Sequence, residues 1–155
     1  MGKNVFMKRM PAGIPGQVTR LNSSTLETVQ LGNAPIPFGA PVKVVAGLLA
    51  PLGNGDTASV IYGFLARPYP TMGTATSFGT AEATAGSLQN VMRRGYLAVE
   101  VKAGTPAKAG KVYVRTTGAI GTIEAASGAG LVELPGGTFM GEADTDGLTE
   151  ISYNI

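Results

Sequence analysis

The sequence predicts an all-β fold, a small antiparallel β-barrel or sandwich preceded by an extended N-terminal arm. Three observations carry that prediction. Between Val91 and Arg115, Leu97, Val99 and Val101 alternate with Tyr96, Ala98 and Glu100, and Val112 and Val114 alternate with Lys111, Tyr113 and Arg115. A period of two is the signature of strands with one buried face. Glycine and proline, 23 and 10 of 155 residues, make up about a fifth of the chain, which favours many short strands and turns over helices. The C-terminus repeats the alternation, with Ile151, Tyr153 and Ile155 set against Ser152 and Asn154 after a turn-forming Asp146-Gly147 pair.

Taken in order, residues 1–35 read as the arm, because Pro11, Gly13, Pro15 and Gly16 interrupt any regular element. Its apolar residues, Val18, Leu21, Leu26, Val29 and Leu31, are too scattered to define a core strand. Two fates stay open for it: an edge strand of the barrel, or a tail lying on another subunit. Residues 36–155 form the barrel or sandwich domain. Pro41 opens a strand through Val45, Asn54-Gly55 supplies a type I′ turn signal, and Ser59–Leu65 follows as a strand with apolar residues on both faces. The Thr-, Ala-, Gly- and Ser-rich stretch around 71–86 lacks the bulk to fill a core and reads as a long, flexible surface loop.

Ser87–Arg94 fits either a short helix capped by Ser87 or a direct lead into the central strand. The central pair reads as two antiparallel strands joined by the basic loop KAGTPAKAG. Ile120–Ala125, Leu131–Leu134 and a terminal hairpin across Asp144-Thr145-Asp146-Gly147 complete about eight strands, on the order of what a small barrel or two-sheet sandwich needs.

At 155 residues with 44% hydrophobic content, one domain with a real core is expected. Charged residues are only 14%, against about 25% in ordinary soluble domains, so part of the surface is expected to be covered by a partner. The net charge of +2 gives no case for nucleic acid, but the charge is unevenly distributed. Lys3, Lys8, Arg9 and Arg20 precede the first acid, Glu27, whereas residues 116–155 hold six acids and no Lys or Arg. Such polarity suits head-to-tail or arm-to-neighbour contacts between subunits. The plain alternative is scattered charge in solvated loops.

Catalytic classes are thinned by absences. With no His and no Cys, Ser-His-Asp and Cys-His catalysis, thiolate chemistry, disulfides and the commonest zinc ligands are removed. The acids lie in Gly-rich or terminal segments without an enclosing pocket, so a glycosidase-type pair is not expected. Asp144-Thr145-Asp146-Gly147 with Glu150 imitates part of a calcium loop but has too few ligands and the wrong spacing, which leaves an Asp-Gly turn. GTPAKAGK is one residue too long for a phosphate loop, and Val112 stands where the magnesium-binding hydroxyl belongs. No signal-peptide core and no membrane-length apolar run is present. No enzyme activity, cofactor, metal, direct nucleic-acid binding or membrane contact is therefore expected. Arg93-Arg94 before Gly95-Tyr96 is the one basic-aromatic cluster, and it reads as an ion pair or a subunit contact.

The segments MRRGYLAVEV, GKVYVRTTGAIGTIEA and GEADTDGLTEISYNI, in residues 90–155, together resemble the capsid decoration, or structural cement, proteins of tailed bacteriophages. The N-terminal third is similar in character: a Pro/Gly-broken arm, then FGAPVK entering the first core strand. The resemblance implies a β-barrel or tulip-like domain on the outer capsid surface of the virion, made in the host cytoplasm. It would bridge neighbouring major capsid proteins, stabilise the shell against internal DNA pressure, and act without an active site. On this reading the partners are the major capsid protein and further copies of the chain, as a homotrimer or local cluster. The expected contact residues are Lys3, Lys8 and Arg9 of the arm, with Arg93 and Arg94. The rival reading is a carbohydrate- or receptor-binding β-module of a tail or spike, which the absence of Trp disfavours.

Overall fold

The computed structural model describes residues 13–68 and 82–155. Among these, eleven strands follow one another: β1 (Thr25–Gln30), β2 (Ile36–Pro37), β3 (Pro41–Val45), β4 (Leu48–Pro51), β5 (Gly63–Ala66), β6 (Glu82–Ala83), β7 (Leu88–Ala103), β8 (Lys111–Arg115), β9 (Ile123–Glu124), β10 (Leu131–Phe139) and β11 (Leu148–Tyr153). Two single 3₁₀ turns, Leu21–Ser23 and Ala58–Val60, are the only helical segments among the described residues.

The 16-residue strand β7 belongs to both layers of the fold. Its C-terminal half closes a five-stranded barrel in the order β7-β9-β8-β10-β11, with β11 returning to pair with β7. Leu97, Val99, Val112, Val114, Ile123, Leu134, Phe139 and Ile151 fill this barrel, as their alternation requires. Its N-terminal half carries a second layer in the order β1-β7-β5-β3-β4. A bridge between Leu31 and Leu49, with the Gly32 amide donating to the Leu49 carbonyl at 2.8 Å, curls this layer round on itself. Leu31, Ile36, Val42, Leu49, Leu65, Ala83 and Val91 form its own core.

Strand β5 lies where the two cores meet. All four of its residues are buried, Phe64 in the barrel core and Leu65 in the second, which accounts for apolar residues on both faces of one short strand. Each such side chain contributes about 1.5–3 kcal/mol by burial. Phe64 also meets Tyr153 edge to face, with ring centroids 5.2 Å apart.

Several expectations change in detail. The architecture is a closed barrel with added strands, which resolves the choice between barrel and sandwich. Strands β7 and β8 do not pair directly, because β9 lies between them, parallel to β7 and antiparallel to β8. The segment from Ser87 leads straight into strand, since β1 pairs along Leu88–Met92 and β5 along Asn90–Met92 on the other edge. The hairpin after β3 turns at Ala46-Gly47 (φ +50° and +81°) and not at Asn54-Gly55. Its partner is β4, and the expected strand over 59–65 is reduced to Gly63–Ala66 behind the Ala58–Val60 turn. The terminal hairpin forms as expected between β10 and β11.

Residues 16–30 run antiparallel along β7. The Gly16 amide donates to the Ala98 carbonyl (2.8 Å), the Ala98 amide to Gln17 (2.9 Å) and the Thr19 amide to Tyr96 (3.1 Å), after which β1 takes up the pairing. The described part of the arm thus forms an edge of its own sheet, ahead of residue 36 where the compact domain was expected to begin. Lys3, Lys8 and Arg9, and residues 71–81 of the expected loop around 71–86, lie outside the described residues, while Glu82–Ala83 of that loop form β6, paired with β2.

Candidate interaction surface

The strap formed by residues 14–24 is held to the barrel mainly by polar contacts. Arg20 donates to both Glu150 oxygens (3.1 and 2.9 Å), and its guanidinium lies 4.1 Å from the centre of the Tyr96 ring. The hydrogen bond to Glu150 raises the Arg20 pKa above its ordinary value. Arg67 donates to the Pro15 carbonyl (3.1 Å) and stacks 4.8 Å over Phe38, and burial lowers its pKa. Ser24 Oγ accepts from the Tyr96 amide (3.3 Å) and donates to the Arg20 carbonyl (2.8 Å).

Arg93 and Arg94 part company at a bulge. Thr25 pairs with Arg94 and Leu26 with Met92, so Arg93 is an extra residue on β7 without a partner on β1. Bulges re-aim side chains, and here the Arg93 guanidinium is laid over Tyr62, 3.4 Å from the ring centre. Tyr62 in turn donates to Glu27 (2.7 Å), which raises the phenol pKa. One buried Arg93 nitrogen, NH1, has no hydrogen-bond partner among the described residues. Its carbonyl receives the Asn154 side-chain amide at 3.0 Å. Arg93 therefore ties β1, β5's approach and the C-terminus together, whereas Arg94 is exposed and forms no ion pair among the described residues. Elsewhere on the strap, β1 and the C-terminus, Leu21 (69% exposed), Leu26 and Ile155 (57%) are also exposed.

The opposite end of β11 is acidic. Asp144 Oδ1 accepts from the Asp146 and Leu148 amides (3.0 and 2.8 Å), which makes Asp144–Gly147 an ordinary Asp-Gly turn, and Glu150 is committed to Arg20. Between the layers lies a cleft of about 240 Å³ walled by Pro15, Phe38, Pro41, Leu52 and Ile120, with Lys102 and Glu100 on its rim. These rim residues pair with each other. Arg115 grips Glu124 through two bonds (2.5 and 3.0 Å) on the barrel wall, which raises the arginine's pKa. Among the described residues no three potential metal ligands converge, and no helix is long and apolar enough to cross a membrane.

Sequence reasoning singled out Arg93 and Arg94 and did not foresee Tyr62 and Glu27 beside Arg93, or the Arg20–Glu150 pair. The split between Arg93 and Arg94 comes from the bulge, which breaks the period of two and is not readable from the sequence. Nothing local signals Arg20–Glu150, whose partners are 130 residues apart.

A family model described as structural cement protein (E217 gp24/Pam3 gp6) matches residues 1–154. The chain belongs to this family. As a cement protein it is a structural component of the phage capsid and of the virion, with a decorating and reinforcing role. The resemblance first seen in residues 90–155 thus extends over nearly the whole chain. A chain in a solved structure titled "The capsid of Myoviridae Phage XM1" is similar in fold, with a TM-score of 0.74 at 19% identity over 97% of this chain and 96% of that one. No curated protein matches the sequence.

Proposed function

We propose that this cement protein binds the outside of the phage head, bridges adjacent major capsid proteins and holds the shell against the pressure of packaged DNA, without catalysing any reaction. The observation that carries this reading is the exposed flank of β7. Arg94 on β7 is exposed without an ion-pair partner among the described residues, and Leu21 of the strap, Leu26 of β1 and Ile155 at the C-terminus are exposed as well. Exposed apolar side chains together with an unpaired charge are what a surface that binds another protein presents. Modest contacts of this kind, repeated over a shell, add up through multivalency. Lys3, Lys8 and Arg9 of the N-terminal segment, and the segment around residues 71–86, supply further contacts with neighbours, and the chain works as a homotrimer or local cluster.

The test uses phage heads stripped of, or assembled without, this protein. Added purified protein co-sediments with the heads and raises the temperature at which they release DNA. Deleting residues 1–12 weakens that binding while the circular dichroism of the domain is unchanged. Heads that neither bind the intact protein nor gain resistance to heating would overturn the proposal.

A further inference from the structure

We propose that copies of this chain associate head to tail, with the Arg94 end of one barrel seated against the Glu142–Asp146 turn of the next. The argument begins from what the internal ion pairs leave over. Five pairs consume Arg20, Lys43, Lys102, Lys111 and Arg115 with Glu150, Asp56, Glu100, Glu133 and Glu124. Of the remaining described bases, Arg67 is turned to Pro15 and Phe38, and Arg93 to Tyr62. Lys108 lies in the loop that bonds to Phe139, and Arg94 is exposed. Of the remaining described acids, Glu27 accepts from Tyr62 and Glu82 lies in β6. Glu142, Asp144 and Asp146 stand together in the turn before β11, where Lys108 is too little to balance them.

Strand β11 connects the two excesses. It begins at Leu148, two residues after Asp146, and ends at Tyr153 opposite Gly95, beside Arg94. Its six residues span about 20 Å. The barrel is therefore basic at one end of this strand and acidic at the other. A two-fold contact of either end with itself would set like charges together, which costs several kcal/mol. The opposite ends complement one another, Arg94 at one and Glu142 and Asp146 at the other, all three exposed. Such a heterologous interface closes into a ring if its rotation permits and otherwise propagates as an array. Either result places several copies side by side, as a decorating layer requires. This association is measured on the free protein, so its failure leaves capsid binding untouched, and the reverse also holds.

The experiment is sedimentation velocity on the full chain at low salt, from micromolar to several hundred micromolar. The wild type self-associates, and raising the salt weakens the association steeply. Arg94→Glu, which makes both ends acidic, weakens it at least about tenfold, as does E142K/D146K, which makes both ends basic. All three positions are exposed, so circular dichroism stays that of the wild type. Asp144 is left alone because it shapes the turn. Mixing the two swapped proteins, or joining the three substitutions in one chain, restores association. A wild type that remains monomeric throughout the range overturns the proposal. So do swapped variants that associate as well as wild type, or a mixture that stays apart.

Discussion

At Gly95 the strap's Ser24 leaves no room for a side chain, and Gly95→Ala tests whether strap and barrel can be separated. Its φ of +136° is one that side-chain-bearing residues rarely adopt, a cost of about 1–3 kcal/mol. A Cβ there would also lie 2.5 Å from Ser24 Cβ and 2.7 Å from Ser24 Cα, and would overlap the Ser24 hydroxyl. Carbon atoms rest about 3.5–4.0 Å apart, so the strap must withdraw by roughly 1 Å, and overpacking of this kind adds about 1–3 kcal/mol. The withdrawal breaks the bond from the Tyr96 amide to Ser24 Oγ. The expected total is about 2–6 kcal/mol, taken up by the strap because the barrel is closed on itself.

Hydrogen exchange read by mass spectrometry should show faster exchange over residues 14–30, with β8, β10 and β11 still protected. Gly47→Ala serves as the reference, since its φ is +81° but nothing lies within 4 Å of the added methyl. It should cost only about 1 kcal/mol. Adding Ser24→Gly to Gly95→Ala relieves part of the overlap and recovers part of the loss. The reasoning fails if Gly95→Ala loses no more than Gly47→Ala in urea unfolding, or if exchange rises equally throughout the barrel.

Three further outcomes are expected. Asp56 accepts from the Gly53 amide (2.6 Å) and from Lys43 (2.7 Å), and both hold its carboxyl below the ordinary value. A depressed acid stabilises the fold above its unfolded pKa of about 4 and loses that contribution as pH falls through the lower folded value. Asp56→Asn should therefore cost about 1 kcal/mol at pH 7 and flatten the decline of urea midpoints below about pH 5. Ala46→Asn should stabilise by about 0.5–1 kcal/mol in thermal unfolding, because the Ala46-Gly47 turn needs positive φ at both positions and Asn tolerates it better. Phe64→Ala should cost about 3–5 kcal/mol by calorimetry and loosen both layers together, since Phe64 is fully buried between β3 and β7 and packs on Tyr153.

The elements legible in the sequence are those whose signal is local. The terminal hairpin was readable because Asp144 and Gly147 set the turn chemically and Ile151 and Tyr153 set the buried face. Strand β9 was not, since two residues carry no periodicity and Ile123 and Glu124 are strand only because β7 and β8 flank them. Asn54-Gly55 has the stronger intrinsic turn signal, yet the hairpin turns at Ala46, a residue seldom found at positive φ. Tertiary pairing between Val42 and Pro51 outweighed that local preference. At the candidate surface, the charge excess at each end was visible as a count, but not which charges cancel. Glu133 and Glu150 are neutralised by Lys111 and Arg20 across the sheet, and only the fold shows that the acids left over gather in one turn.

The sharing of β7 has a mechanical consequence. At about 50 Å, one continuous strand runs through both halves of the molecule, bent at the Arg93 bulge and Gly95 where it passes from one to the other. A pull applied to either half is carried as tension along that single strand and resisted in shear by the hydrogen bonds on both of its edges. Load passing between the two halves is therefore shared among many hydrogen bonds acting together.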